Sequence, residues 1–196
     1  MFLDKYSSQN QEVWNKFCHE VNGDLELGKH TLYGRISYSQ GPWELVLDTH
    51  FRAIPEPTEY TRVRAPFQNY DGFTCEIYNS SFSSEIGKLF GMQDVEIGYD
   101  YFDDEFIIKA NDEARVWLLL KIYEVRRLIK RHSNIHLRVN SSKRFLSSVH
   151  PEGNDEIYLE IKEIITDANE LRAINQLMLL LLNNLCKFDS VCTKNK

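Results

Sequence analysis

Apolar positions recur along this chain in two periods. Over residues 8–21, Val13, Trp14, Phe17, Cys18 and Val21 fall at i, i+1, i+4, i+5 and i+8, the single stripe of an amphipathic helix. Ser8 is placed to cap it, and Asn22-Gly23 to end it, with Gly23 suited to the left-handed C-terminal position. From about residue 30 the period drops to two. Leu32, Gly34, Ile36 and Tyr38 alternate with Tyr33, Arg35 and Ser37. After the turn signal at 39–42, Trp43, Leu45, Leu47, Thr49 and Phe51 alternate with Glu44, Val46, Asp48, His50 and Arg52. This predicts a hairpin of two strands, each with one buried and one wetter face. A third strand is expected over 60–65, stopping at Pro66, and a fourth over 73–78, after the turn at 69–72. The short connections favour antiparallel order.

Further along, residues 83–90 predict a short helix, and 94–104 an acidic loop in which Val95 and Ile97 alternate as in a short strand. Residues 106–110 read as a strand. The clearest helical pattern runs from 111 to 131, capped by Asn111 or Asp112, with acids in its first turn and Arg126, Arg127, Lys130 and Arg131 in its last. Strands are expected at 135–139, 145–149 and 157–161, then a final helix over 167–188 capped by Thr166 or Asp167, and a frayed tail from 189. The most apolar run, 177–182, is far shorter than the roughly 18 residues a membrane span needs, so no transmembrane segment is expected. These elements predict an α+β fold, an antiparallel sheet packed in two layers against three main helices. We expect a single domain over 1–196, with sub-lobes 8–110 and 111–188.

Composition changes this picture little. A hydrophobic share of 42% excludes intrinsic disorder, and nine Gly and five Pro exclude a fibre. The net charge of −6 argues against nucleic acid as a partner, leaving a protein partner or a second copy. Cys18, Cys75 and Cys186 lie in apolar patterns, as buried thiols of a reducing compartment do. With no leader-like segment at Met1, the cytoplasm is the expected location.

One stretch carries more than periodicity. Gly87-Lys88-Leu89-Phe90-Gly91-Met92-Gln93-Asp94-Val95-Glu96-Ile97-Gly98 continues, after Tyr99-Asp100-Tyr101, as Phe102-Asp103-Asp104-Glu105-Phe106-Ile107-Ile108-Lys109-Ala110-Asn111-Asp112. It resembles a recurring segment in a family of uncharacterised bacterial proteins, Gly-Lys-x-x-Gly-x-Gln-Asp-Val/Ile-x-Val/Ile-Gly-Asp-x-x-Phe-Asp-x-x-Phe-Val/Ile-Val/Ile-Lys-x-Asn, followed by a helix. Here Tyr99-Asp100 stands where that family has Asp directly after Gly. The upstream run Thr61–Phe67 and the opening helix with its Trp are similar to other elements of the family. The resemblance implies a shared fold and brings no activity with it.

Candidate chemistry concentrates in the same stretch. Asp94, Glu96, Asp100, Asp103 and Asp104 are the candidate metal ligands, because Mg²⁺ or Ca²⁺ needs several carboxylate oxygens at one point. The competing expectation is a loop of turn-formers and caps, with Phe102 and Phe106 anchoring it in the core. No metalloprotease, nucleophile-elbow or phosphate-loop motif occurs. Arg62 and Arg64 alternate on the third strand and are expected to meet Glu44, Asp48 or Glu76 across strands. The leading expectation is a non-enzymatic binding or scaffold module with no cofactor. The alternatives are a metal-assisted or acid–base enzyme using the 94–105 loop, and a peripheral membrane-associated accessory protein.

Overall fold

The computed structural model describes residues 8–27, 33–53, 57–67, 69, 71–79, 82, 92–140 and 155–188. The expected helix at 83–90 and strand at 145–149 lie outside them. The elements are α1 (Ser8–Glu20), β1 (Asp24–Glu26), β2 (Arg35–Gln40), β3 (Trp43–Arg52), β4 (Thr58–Phe67), β5 (Cys75–Tyr78), β6 (Gln93–Asp94), α2 (Asp100–Asp103), β7 (Ile107–Ala110), α3 (Glu113–Leu120), α4 (Tyr123–Lys130), β8 (Ile135–Asn140), β9 (Asp155–Ile161) and α5 (Ala168–Phe188). All nine strands join one antiparallel sheet in the order β1-β2-β3-β4-β9-β8-β5-β7-β6.

The α+β class and the antiparallel sheet are as the sequence predicts; among the described residues there are five helices, where three main ones are expected. The expected 111–131 helix is two. Ile122 is extended (φ −72°, ψ 109°), and the helix restarts at Tyr123. At this break the Arg126 guanidinium donates to the Leu120 carbonyl, which in an unbroken helix would accept a backbone N–H. Strand β4 runs through Pro66 instead of stopping there. Its pairing with β3 ends at Arg64, so the missing Pro66 N–H costs no bond on that side. At the end of α1 it is Asn22 (φ 50°), not Gly23, that is left-handed. Gly23 is needed for space, since a Cβ there would lie 2.8 Å from Ile36 Cγ2.

One face of the sheet builds the main core. Ile36, Leu45, Leu47, Val63, Ile157, Leu159, Leu137 and Ile77 are buried with Trp14 and Phe17 of α1, Val116 and Leu119 of α3, Leu128 of α4 and Leu177 and Leu181 of α5. Trp14 Nε1 donates to the Ile165 carbonyl at 2.9 Å, tying α1 to the chain entering α5. Caps follow the expected residues. Asp112 accepts from Arg115 N, and Asp167 accepts from Asn169 N and Glu170 N. Cys18 and Cys75 are buried free thiols. Cys186, expected to be a third, is disulfide-bonded and lies half-buried near the end of α5.

Candidate functional site

The other face of the sheet carries the chemistry. Side chains alternate between faces along a strand, so positions i and i+2 of five strands present ionisable groups on the same side. Two rows of cross-strand partners result. One reads Arg35, Asp48, Arg62, Glu160, His136, Tyr78 from β2 to β5. The next reads Val46, Arg64, Tyr158, Arg138, Glu76, Lys109, Asp94 from β3 to β6.

Three carboxylates in these rows are buried, and each is met by cations. Asp48 accepts from Arg62 Nε and Nη2, both at 2.8 Å, and from Arg64 Nη2 at 3.1 Å. The expected cross-strand pairing of Arg62 and Arg64 thus resolves onto Asp48, and the planar two-pronged contact is the geometry guanidinium favours. Glu160 is fully buried. Arg52 Nη2 donates to both of its oxygens at 2.8 and 2.9 Å, and His50 Nε2 lies 2.8 Å from Oε1. Glu76, also fully buried, holds Arg138 Nη2 at 2.5 Å and faces His136 Nε2 at 3.3 Å.

The electrostatics follow from this packing. Burial works to raise the Glu160 carboxyl, but hydrogen bonds from His50 and Tyr158 and the Arg52 charge outweigh it and hold Glu160 below the ordinary glutamate range. Burial, reinforced by the Glu160 charge, pushes the Tyr158 phenol well above its ordinary value. Burial opposes ionisation of Arg62 too, but the Asp48 hydrogen bond and charge prevail and raise it. A small aromatic cluster of Tyr60, Tyr78 and Phe82 packs on this face. His50 stacks on Tyr60 at 4.9 Å, and His136 lies 5.4 Å from Phe82 and 6.0 Å from Tyr158.

The acidic loop singled out by the sequence is organised differently. Asp103 closes on its own backbone, accepting from the N–H groups of Ile97, Gly98 and Tyr99 at 3.1, 2.9 and 3.0 Å. Asp94 pairs with Lys109 at 2.7 Å across β6 and β7. Asp100 opens α2, Asp104 is its C-terminal cap, and Glu96 is exposed. Among the described residues no three His, Cys, Asp or Glu side chains are grouped so as to hold a metal ion. Phe102 and Phe106 are buried with ring centroids 4.8 Å apart, anchoring the loop as expected. Behind the loop, Arg126 donates through Nε to the Tyr101 hydroxyl at 2.7 Å and stacks 3.5 Å over the Tyr99 ring. Lys130 reaches Glu105 at 2.9 Å and the Tyr101 carbonyl at 2.8 Å.

No protein-family model and no curated protein matches the chain. One fold is shared. The crystal structure of the mycobacterial trehalose monomycolate transport factor A, TtfA, superposes with a TM-score of 0.51, covering 89% of this chain and 97% of that one, at 5% identity. At that identity the likeness is one of fold alone. No helix among the described residues is long and apolar enough to cross a membrane.

Sequence reasoning pointed to the loop and missed the ionic face of the sheet. The signal was present as polar pairs two apart inside strands: Asp48/His50, Arg62/Arg64, Glu76/Tyr78, His136/Arg138 and Tyr158/Glu160. Each pair alone reads as an ordinary wet face. Their meaning depends on strand order, which brings residues more than 100 positions apart into contact.

Proposed function

We propose that this chain is a non-enzymatic binding or scaffold module, belonging with the uncharacterised bacterial proteins whose recurring segment residues 87–111 resemble. The observation that supports this reading is the mutual engagement of the ionisable groups. Each buried carboxylate of the sheet face is held by an arginine and, for Glu160 and Glu76, by a histidine as well. The Asp103 carboxylate of the acidic loop is held by three backbone N–H groups. Such groups rigidify a sheet and fix its register, while a general acid or base needs a proton-accepting atom facing substrate. The fold shared with a mycobacterial transport factor supports an accessory role.

The test is a turnover screen of the whole chain against carboxylic esters, phosphate esters and peptides, with and without Mg²⁺, Ca²⁺ or Mn²⁺. The expected result is no rate above buffer. Turnover that is lost in His50→Asn or Asp103→Ala, with circular dichroism unchanged, would overturn the reading in favour of an acid–base or metal-assisted enzyme.

A further inference from the structure

The cations of this acidic chain are unevenly placed. Residues 113–131, which form α3, α4 and the break between them, hold six Lys and Arg against two Glu, in a chain whose net charge is −6. Four of these cations already have partners: Arg115 with Asp71, Arg127 with Glu124, Lys130 with Glu105 and Arg131 with Glu170. Arg126 is buried. Lys121 differs, being exposed, with its ammonium 5.3 Å from the Trp117 ring centroid and in no ion pair among the described residues.

The break between the two helices makes a corner that presents aromatic side chains outward. Of the three tryptophans, Trp14 and Trp43 are buried, whereas Trp117 is 45% exposed, and Tyr123 just beyond the break is 65% exposed. Leu118 and Ile122 are half-buried beside them. Tryptophan and tyrosine favour the headgroup zone of a bilayer, where an apolar ring and a polar edge are both accommodated. A lysine at the same depth meets lipid phosphate.

We propose that the α3–α4 corner docks on an anionic phospholipid surface, with Trp117 and Tyr123 entering the headgroup layer and Lys121 meeting its phosphates. This goes beyond the binding-module reading and uses residues apart from the ionic face of the sheet, so either can fail without the other.

The test uses the whole chain with phosphatidylcholine vesicles containing roughly one-third phosphatidylglycerol at low salt. Because Trp14 and Trp43 are buried, a shift in tryptophan emission reports on Trp117. The expected result is a blue shift and co-sedimentation with these vesicles, both weakening as salt is added. Trp117→Phe should abolish the emission shift. Lys121→Ala should weaken partitioning about fivefold and Lys121→Glu about thirtyfold, from the interaction of one lysine with an anionic surface. Lys121 is a surface side chain, so these variants keep the fold. The proposal is overturned by absence of co-sedimentation, by equal binding to pure phosphatidylcholine, or by equal binding of Lys121→Glu. A blue shift that grows with protein concentration in the absence of vesicles would assign the corner to self-association and overturn it too.

Discussion

Glu160→Gln removes one negative charge from the middle of the sheet and leaves the side-chain volume nearly unchanged. The carboxylate accepts from Arg52 with both oxygens, from His50 and from Tyr158. A glutamine amide offers one acceptor oxygen and turns its NH₂ toward donors, so one or two charge-assisted hydrogen bonds are lost. Each is worth about 1.5–3 kcal/mol when the acceptor is charged and buried. Arg52 is 36% exposed on its side chain, so its freed guanidinium regains water and the loss falls toward the lower end, about 2–3 kcal/mol in all. For a chain of this size that lowers the melting temperature by about 4–12 °C. The control is Asp94→Asn, the same change of charge on a side chain 78% exposed and paired with Lys109, which should cost under about 0.5 kcal/mol. Thermal unfolding at pH 7 followed by circular dichroism measures both. A Glu160→Gln melting temperature within a degree of the parent would refute the reasoning, because the buried ion cluster would then contribute nothing net. The sign against pH follows from the same group. Its folded pKa is depressed, so its contribution is complete above about pH 4.5 and is lost as pH falls through the folded value.

Four further outcomes are expected. Arg126→Met removes the bond to the Leu120 carbonyl, the bond to Tyr101 and the stack on Tyr99; it should cost about 2–4 kcal/mol in urea unfolding and speed amide exchange across 99–105. Asp103→Ala strands the N–H groups of Ile97, Gly98 and Tyr99; exchange at those three amides should rise by at least about tenfold, the equivalent of about 1.4 kcal/mol. Burial lowers the His132 pKa, against the pull of Glu170 and Glu163, so the unfolded chain binds more protons below about pH 6.5 and stability falls there as pH is lowered; that slope should disappear in His132→Asn. Burial pushes the Cys75 thiol up to about 12, so Cys75 should stay unlabelled by a thiol reagent at pH 8 until the protein unfolds.

Local features were legible where one segment decides its own structure. The α1 stripe, the β2–β3 hairpin, the Asp112 and Asp167 caps and the pairing of Arg62 and Arg64 with Asp48 all depend on near neighbours or on the period of the pattern. What was not legible depends on partners distant in the chain. The break at Ile122 lies where Arg126 takes the Leu120 carbonyl and also reaches the Tyr101 hydroxyl of another element, and helical periodicity runs straight through it. Four strands within 30–78 suggested one contiguous sheet, but β9 and β8 separate β4 from β5. That insertion creates the Glu160 and Glu76 clusters, which is why sequence reasoning placed the chemistry in the loop. Within the loop it is Asp103 that bonds the backbone, which the run of acids alone does not single out.

The strand order also has a consequence for how this protein is made. As the chain leaves the ribosome, β4 and β5 are synthesised long before β8 and β9, the strands that fill the place between them. Until those strands emerge, Val63, Ala65, Cys75 and Ile77 belong to strands with unsatisfied edges, a state open to pairing with other chains. The α1 anchor must wait for Ile165, just beyond β9, because Trp14 is tied to it across 151 residues. The nascent sheet is therefore unfinished until β8 and β9 have both been made. It should depend on chaperone cover during translation more than a chain of equal length whose neighbours in sequence are also neighbours in space.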